Sequence, residues 1–147
     1  MPSNYRRISL ISCVGKIMER VIYKHVYYYL HQNRLIYEYQ SGFLPRHSTV
    51  HQLLEIYNSI LNSLGNKEAH CFVFCDFSKA FDKVWHRSLL HKMKAYGIIE
   101  KLIIWFSSYL KGRRQKVVIK NNSSAYCEIS VGVPQGSVLG LSYLLSI

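Results

Sequence analysis

Two stretches of this chain hold residues whose types and spacing could do chemistry. In the first, the apolar run Cys71-Phe-Val-Phe-Cys75 ends on a carboxylate, Asp76, followed five residues later by an aromatic, Phe81, and then by a second acid, Asp82. A carboxylate at the end of a buried strand is costly unless a cation or hydrogen-bond donors balance it. Asp76 is therefore a candidate metal ligand, and a helix-capping Asp after a core strand is the other reading its surroundings allow. The second stretch is the glycine-rich turn Gly132-Val-Pro-Gln-Gly-Ser-Val-Leu-Gly140. Gly136 lets a ligand approach the backbone, and Gln135 offers an amide that can reach a base or a sugar. The turn is neither a Walker loop nor a dinucleotide fingerprint, since both glycine patterns are absent. By its residues alone it is a tight turn before a helix.

Other reactive side chains carry less. The four cysteines (Cys13, Cys71, Cys75, Cys127) show no Cys-x-x-Cys spacing, and Cys71 and Cys75 would share one face of the central strand, which suits packing and reduced thiols. His47 and His51 stand four apart without a Cys or acid partner nearby, so a zinc site is not expected.

The charge points to the partner class. Against 8 acidic residues stand 19 Lys and Arg, a formal charge of +11, and this bias favours a polyanion, most often nucleic acid. At 147 residues, with 49% apolar and 18% charged positions, the chain has the size and composition of one globular domain. No apolar run is long enough for a membrane span, and the basic N-terminus lacks the apolar core of a secretory signal, so an intracellular protein, in cytoplasm or nucleus, is expected.

The elements that must position these residues follow from periodicity. After an irregular or extended lead-in over residues 4–11, a helix is predicted from about Ser12 to Gln32, with an apolar stripe of Val14, Ile17, Met18, Val21 and Tyr28. Lys16, Arg20 and Lys24 form a basic ridge on another face, with Glu19 as the one acid among them. Gly42 and Pro45 break a loop over 33–48. Thr49 with Gln52 then fits a capping box opening a second helix, whose stripe is Val50, Leu53, Leu54, Tyr57, Leu61 and Leu64 and whose stop is Gly65. Past the Cys71–Asp76 strand, helical patterns end at Gly97 and Gly112. A hairpin then joins 115–120 to 125–130 around Asn121-Asn-Ser-Ser124. Its approach holds Lys111, Arg113, Arg114, Lys116 and Lys120, the densest positive cluster in the chain. No repeat or linker divides the sequence.

Four segments occur in one order: Asn4-Tyr-Arg-Arg-Ile-Ser-Leu10, Gln40-Ser-Gly-Phe-Leu-Pro-Arg-His-Ser-Thr49, Phe74-Cys-Asp-Phe-Ser-Lys-Ala-Phe-Asp82 and Gly132–Gly140. Together with Trp85, Tyr109-Leu-Lys-Gly-Arg-Arg-Gln115 and the hairpin, they resemble the reverse transcriptase domain of non-LTR (LINE-type) retrotransposons of the jockey-like or CR1-like kind. The resemblance implies an α+β fold: part of a right-hand polymerase, with fingers over about 1–69 and a partial palm over about 70–147. In it, helices pack on a small antiparallel sheet built from the Cys71–Asp76 strand and the hairpin. It implies RNA-directed DNA polymerase activity, with deoxynucleoside triphosphates, an RNA template, a DNA primer and two Mg²⁺ ions. Asp76 would be the first catalytic carboxylate and a metal ligand. The carbonyl of Phe77 would help hold the nucleotide's metal. Phe81 would lie under the incoming sugar and exclude a 2′-hydroxyl. Gln135 and Gly136 would support the incoming nucleotide. Arg6, Arg7, Lys16 and Arg46 would face triphosphate and template phosphates in the fingers, and Arg113 and Arg114 would bind nucleic acid.

The chain departs from the pattern in places. Arg7 stands where the family usually has Pro, Arg46-His47 replaces Gly-Arg or Gly-His, and Leu141-Ser-Tyr-Leu replaces Pro-Leu-Leu-Phe. The family's next motif, an aromatic-x-Asp-Asp turn, does not follow, and two divalent ions need more carboxylate than Asp76 supplies. The 147 residues alone are therefore not expected to polymerise DNA, and some apolar surface is expected to be uncovered. A non-enzymatic, nucleic-acid-binding relic is the second reading.

Overall fold

The structure, a computed structural model, describes residues 8–139. It divides into two compact units. One holds the described residues up to Leu35 and from Lys79 onward, and the other holds Ile36–Ser78.

The first unit opens with helix α1 (Cys13–Gln32), which begins where periodicity places it: the Ser12 hydroxyl accepts from the Gly15 amide at 3.1 Å. The helix closes on paired backbone bonds, Arg34 N to His31 O and Leu35 N to Leu30 O, with Arg34 in the left-handed region at φ 53. After a 3₁₀ turn (Ala80–Lys83), α3 (His86–Ala95) and α4 (Glu100–Leu110) pack on each other as a helical hairpin. Gly97, at φ 79, makes the corner between them. A Cβ there would lie 2.7 Å from the Tyr29 hydroxyl, which donates to Tyr96 O at 3.0 Å, so α1 is tied to the corner where the backbone must be bare.

Every buried apolar residue among those described lies in this unit: Val26 and Leu30 of α1, Val84, Leu89, Met93, Ile98, Phe106, Leu110, Val133 and Leu139. The expected α1 stripe does not contribute. Val14, Ile17, Met18, Val21 and Tyr28 are exposed, and the buried face is the roughly opposite one, Glu19, Val26 and Leu30. Spacings of seven and four residues put those three on one line of the helix, and polar Glu19 hides that line from a hydropathy reading.

The hairpin forms from β1 (Arg114–Gln115), β2 (Val118–Ile119), β3 (Asn122–Ser123) and β4 (Cys127–Glu128), with β1 antiparallel to β4 and β2 to β3. Its turn is tighter than expected: Val118 pairs with Ser123 and Ile119 with Asn122, leaving Lys120 and Asn121 at the tip. Arg114 pairs with Glu128 and Gln115 with Cys127, so two residues (Lys116, Val117) face three (Ser124, Ala125, Tyr126) between the ladders. That is a β-bulge. Helix and antiparallel strand are both present, as α+β requires, but every strand residue is exposed, so helices do not cover this sheet as expected.

In the second unit, α2 (Thr49–Gly65) covers the expected span with two differences at its ends. Thr49 does not make the capping box: it is the first helical residue, Gln52 turns to Glu55, and the preceding Ser48 hydroxyl bonds the His51 ring at 2.9 Å. The stop comes after Gly65. Lys67 takes φ 56 while Glu68 N reaches Ser63 O at 2.8 Å. The α2 stripe, Val50 to Leu64, is exposed, as is the α1 stripe.

The predicted Cys71–Asp76 strand is corrected. The segment keeps a strand's alternation, for His70 stacks on Phe72 (4.6 Å between ring centres) and Phe72 on Phe74 (6.4 Å). It has no ladder, because none of the described residues pairs with it. Without a partner its other face is open: Cys71 and Cys75 are exposed free thiols, not core residues.

Candidate functional site

The best-built feature of the first unit is the turn over residues 132–139. Pro134 O accepts from the Ser137 amide at 3.2 Å, closing a β-turn whose third residue, Gly136, takes φ 96, a conformation suited to glycine. Three backbone bonds, one imidazole and one carboxylate hold it from several sides. Gly132 N donates to Val84 O and Val133 N to Phe81 O, each at 2.8 Å, and the Ser9 amide donates to Gln135 O at 2.9 Å. His86 Nε2 lies 2.7 Å from Gly132 O; a carbonyl can only accept, so this nitrogen carries the proton. The Val138 amide donates to Glu19 Oε2 at 2.8 Å.

The approach at Gly132 is close. A Cβ there would stand 2.9 Å from Asp82 O and 3.0 Å from Phe81 O, and the backbone has φ 89. The bare backbone lets the turn lie flat against Phe81-Asp82. The Phe81 backbone is thereby held against Gly132-Val133, at the start of the turn that carries Gln135 and Gly136. Asp82 sits in the 3₁₀ turn, where its amide donates to Lys79 O.

Glu19 is 1% exposed, and both its oxygens are used. Oε1 accepts from the Tyr109 hydroxyl at 2.5 Å, and Oε2 takes the Val138 amide. Burial, and next the bond to Glu19, push the Tyr109 phenol up to about 12, against the pull of the Arg113 guanidinium, which lies 4.6 Å over its ring. Burial also raises Tyr23. Arg114 and Lys116 flank the exposed Tyr126 ring at 5.5 and 5.4 Å. Cations and an aromatic face therefore lie together on the hairpin.

The remaining candidates sit elsewhere. Lys16 is exposed on α1. Asp76, Phe77 and Arg46 belong to the second unit and are exposed, Phe77 at 84% and Arg46 with φ 67. Arg6 and Arg7 lie outside the described residues. Among the described residues no grouping of three or more His, Cys, Asp and Glu side chains is placed to hold a metal ion. Reverse transcriptases generally use a divalent metal, and the one carboxylate of Asp76 falls short of the oxygen set such an ion needs.

Glu19, Tyr109 and His86 were not legible as site residues. The one available signal was an acid alone on a basic helix, in line with Val26 and Leu30.

The profile of the reverse transcriptase (RNA-dependent DNA polymerase) family matches residues 1–144, and the chain belongs to that family. Among its relatives are three Drosophila melanogaster proteins of mobile elements. The probable RNA-directed DNA polymerase from transposon BS is 38% identical over 145 residues, 95% of this chain and 15% of that protein. The RNA-directed DNA polymerase from mobile element jockey is 38% identical over 137 residues, 93% of this chain and 15% of that protein. The probable RNA-directed DNA polymerase from transposon X-element is 36% identical over 145 residues, again 95% and 15%. The chain thus spans about 15% of the length of these relatives. No solved structure gives a significant match. Among the described residues no helix is long and apolar enough to cross a membrane.

Proposed function

We propose that this chain works as part of an RNA-directed DNA polymerase of a non-LTR retrotransposon, which adds deoxynucleotides to a DNA primer on an RNA template. The observation that carries the reading is the lock between Phe81-Asp82 and Gly132-Val133. It supports a nucleotide site in which the Phe81 ring lies under the incoming sugar and Gln135 and Gly136 support the nucleotide. Asp76, with the Phe77 carbonyl, contributes one carboxylate to a Mg²⁺ site whose other acidic ligands are not among the described residues. For that reason the 147 residues alone do not polymerise. Residues 1–69 are read as fingers and 70–147 as part of the palm. Arg6, Arg7, Lys16 and Arg46 face phosphates in the fingers, and Arg113 and Arg114 hold nucleic acid at the hairpin.

Binding to a primed RNA template tests the phosphate contacts. Affinity should fall steeply as salt rises, and replacing Arg113 and Arg114 together by Gln should lower the slope of log affinity against log salt by about 1–2. An affinity that ignores salt, or a slope unchanged by the double substitution, contradicts this reading of the hairpin.

A further inference from the structure

We propose that Glu19 is a positioning residue for the nucleotide turn. It fixes the exit of the turn by accepting the Val138 amide, and it is itself held in place by Tyr109. This rests on the nucleotide reading of Gln135 and Gly136 given above.

A carboxylate that served only to fill space in α1 would be a poor choice at a site 1% exposed, where an unpaired ion is strongly unfavourable. Glu19 is not unpaired. Its two oxygens meet partners 90 and 119 residues away in the chain, one on α4 and one on the turn. One side chain therefore bridges α4 and the exit of the turn. The bond to Val138 comes two residues after Gly136, at the point where Ser137 and Leu139 are buried. At the other end of the turn, Gly132 and Val133 are fixed on Val84 and Phe81, and Gln135 O is held by Ser9. Glu19 supplies a side-chain anchor at the exit, beside the backbone anchors at the entry and at Gln135. The Arg113 guanidinium over the Tyr109 ring places a nucleic-acid-binding candidate against the residue that orients Glu19.

Amide exchange followed by NMR, together with titration by the fluorescent probe N-methylanthraniloyl-dATP, tests the proposal. Glu19→Ala should speed exchange at the Val138 amide at least tenfold, leave the Leu110 amide of α4 unchanged, and weaken probe binding at least fivefold. Glu19→Gln should restore both to within about twofold, because its carbonyl can accept from Val138 while its amide donates to the Tyr109 oxygen. Should Glu19→Ala fail to fold, Glu19→Asp, one methylene short of Val138, carries the same comparison. Unchanged exchange at Val138 overturns the proposal. So does faster exchange at Val138 and Leu110 alike, which would mark a purely structural residue. A wild-type chain that fails to bind the probe overturns the nucleotide reading instead, and the Val138 exchange then still decides whether Glu19 holds the turn.

Discussion

Tyr109 joins a buried carboxylate to a guanidinium of the basic hairpin. Its hydroxyl orients Glu19 from inside, and its ring lies under Arg113 at the surface. Because burial and the bond to Glu19 raise the phenol to about 12, above the ordinary value of 10, the folded state holds this proton more tightly than the unfolded chain. The stabilisation is then fully present below pH 10 and is lost as pH climbs from 10 towards 12. Urea midpoints taken from pH 8 to 12 should fall across that window for the wild type. For Tyr109→Phe the midpoint should be lower at pH 8, by about 1–3 kcal/mol in stability for a lost hydrogen bond to a charged group, and should depend less on pH. Parallel curves would contradict this role. Asp76, Phe81, Gln135 and Gly136 stand out in the sequence as candidates because each lies in a short contiguous motif. Glu19 and Tyr109 do not, because each is defined by partners about a hundred positions away, and no local pattern records such a pair.

Helices were the legible elements, and their ends and faces were not. The starts and lengths of α1 and α2 follow from periodicity, but α2 runs through Gly65 and stops on Lys67. A left-handed residue at this position closes the last turn through Glu68 N and Ser63 O whichever side chain it carries. A non-glycine side chain is strained there by about 1–2 kcal/mol, partly offset by the greater freedom glycine has when unfolded. Lys67→Gly should therefore stabilise the chain by about 0.5–1 kcal/mol in urea denaturation, and a destabilisation would contradict the assigned stop. The Cys71–Asp76 segment shows another limit. Alternation gives the side-chain layout of a strand, but pairing depends on a second segment, and none of the described residues supplies one. The stripes of α1 and α2 show a third: spacing identifies an apolar face without identifying what covers it.

At the scale of the whole molecule, family membership and charge both support the nucleic-acid reading proposed above. The chain belongs to the reverse transcriptase family across residues 1–144, and its charge is +11. The buried apolar residues among those described lie in the unit that holds the turn, Phe81 and the hairpin. The central claim is that Phe81 and the Gln135-Gly136 turn form one deoxynucleotide site. Photolabelling the chain with 8-azido-dATP and mapping the modified peptides tests it most directly. Label is expected on the peptides holding Phe81 and Gln135-Gly136. Unlabelled dATP should compete for it better than ATP, and Gly132→Ala, whose Cβ meets Asp82 and Phe81 backbone, should abolish it. Label scattered along the chain, or displaced equally well by ATP, would contradict the account.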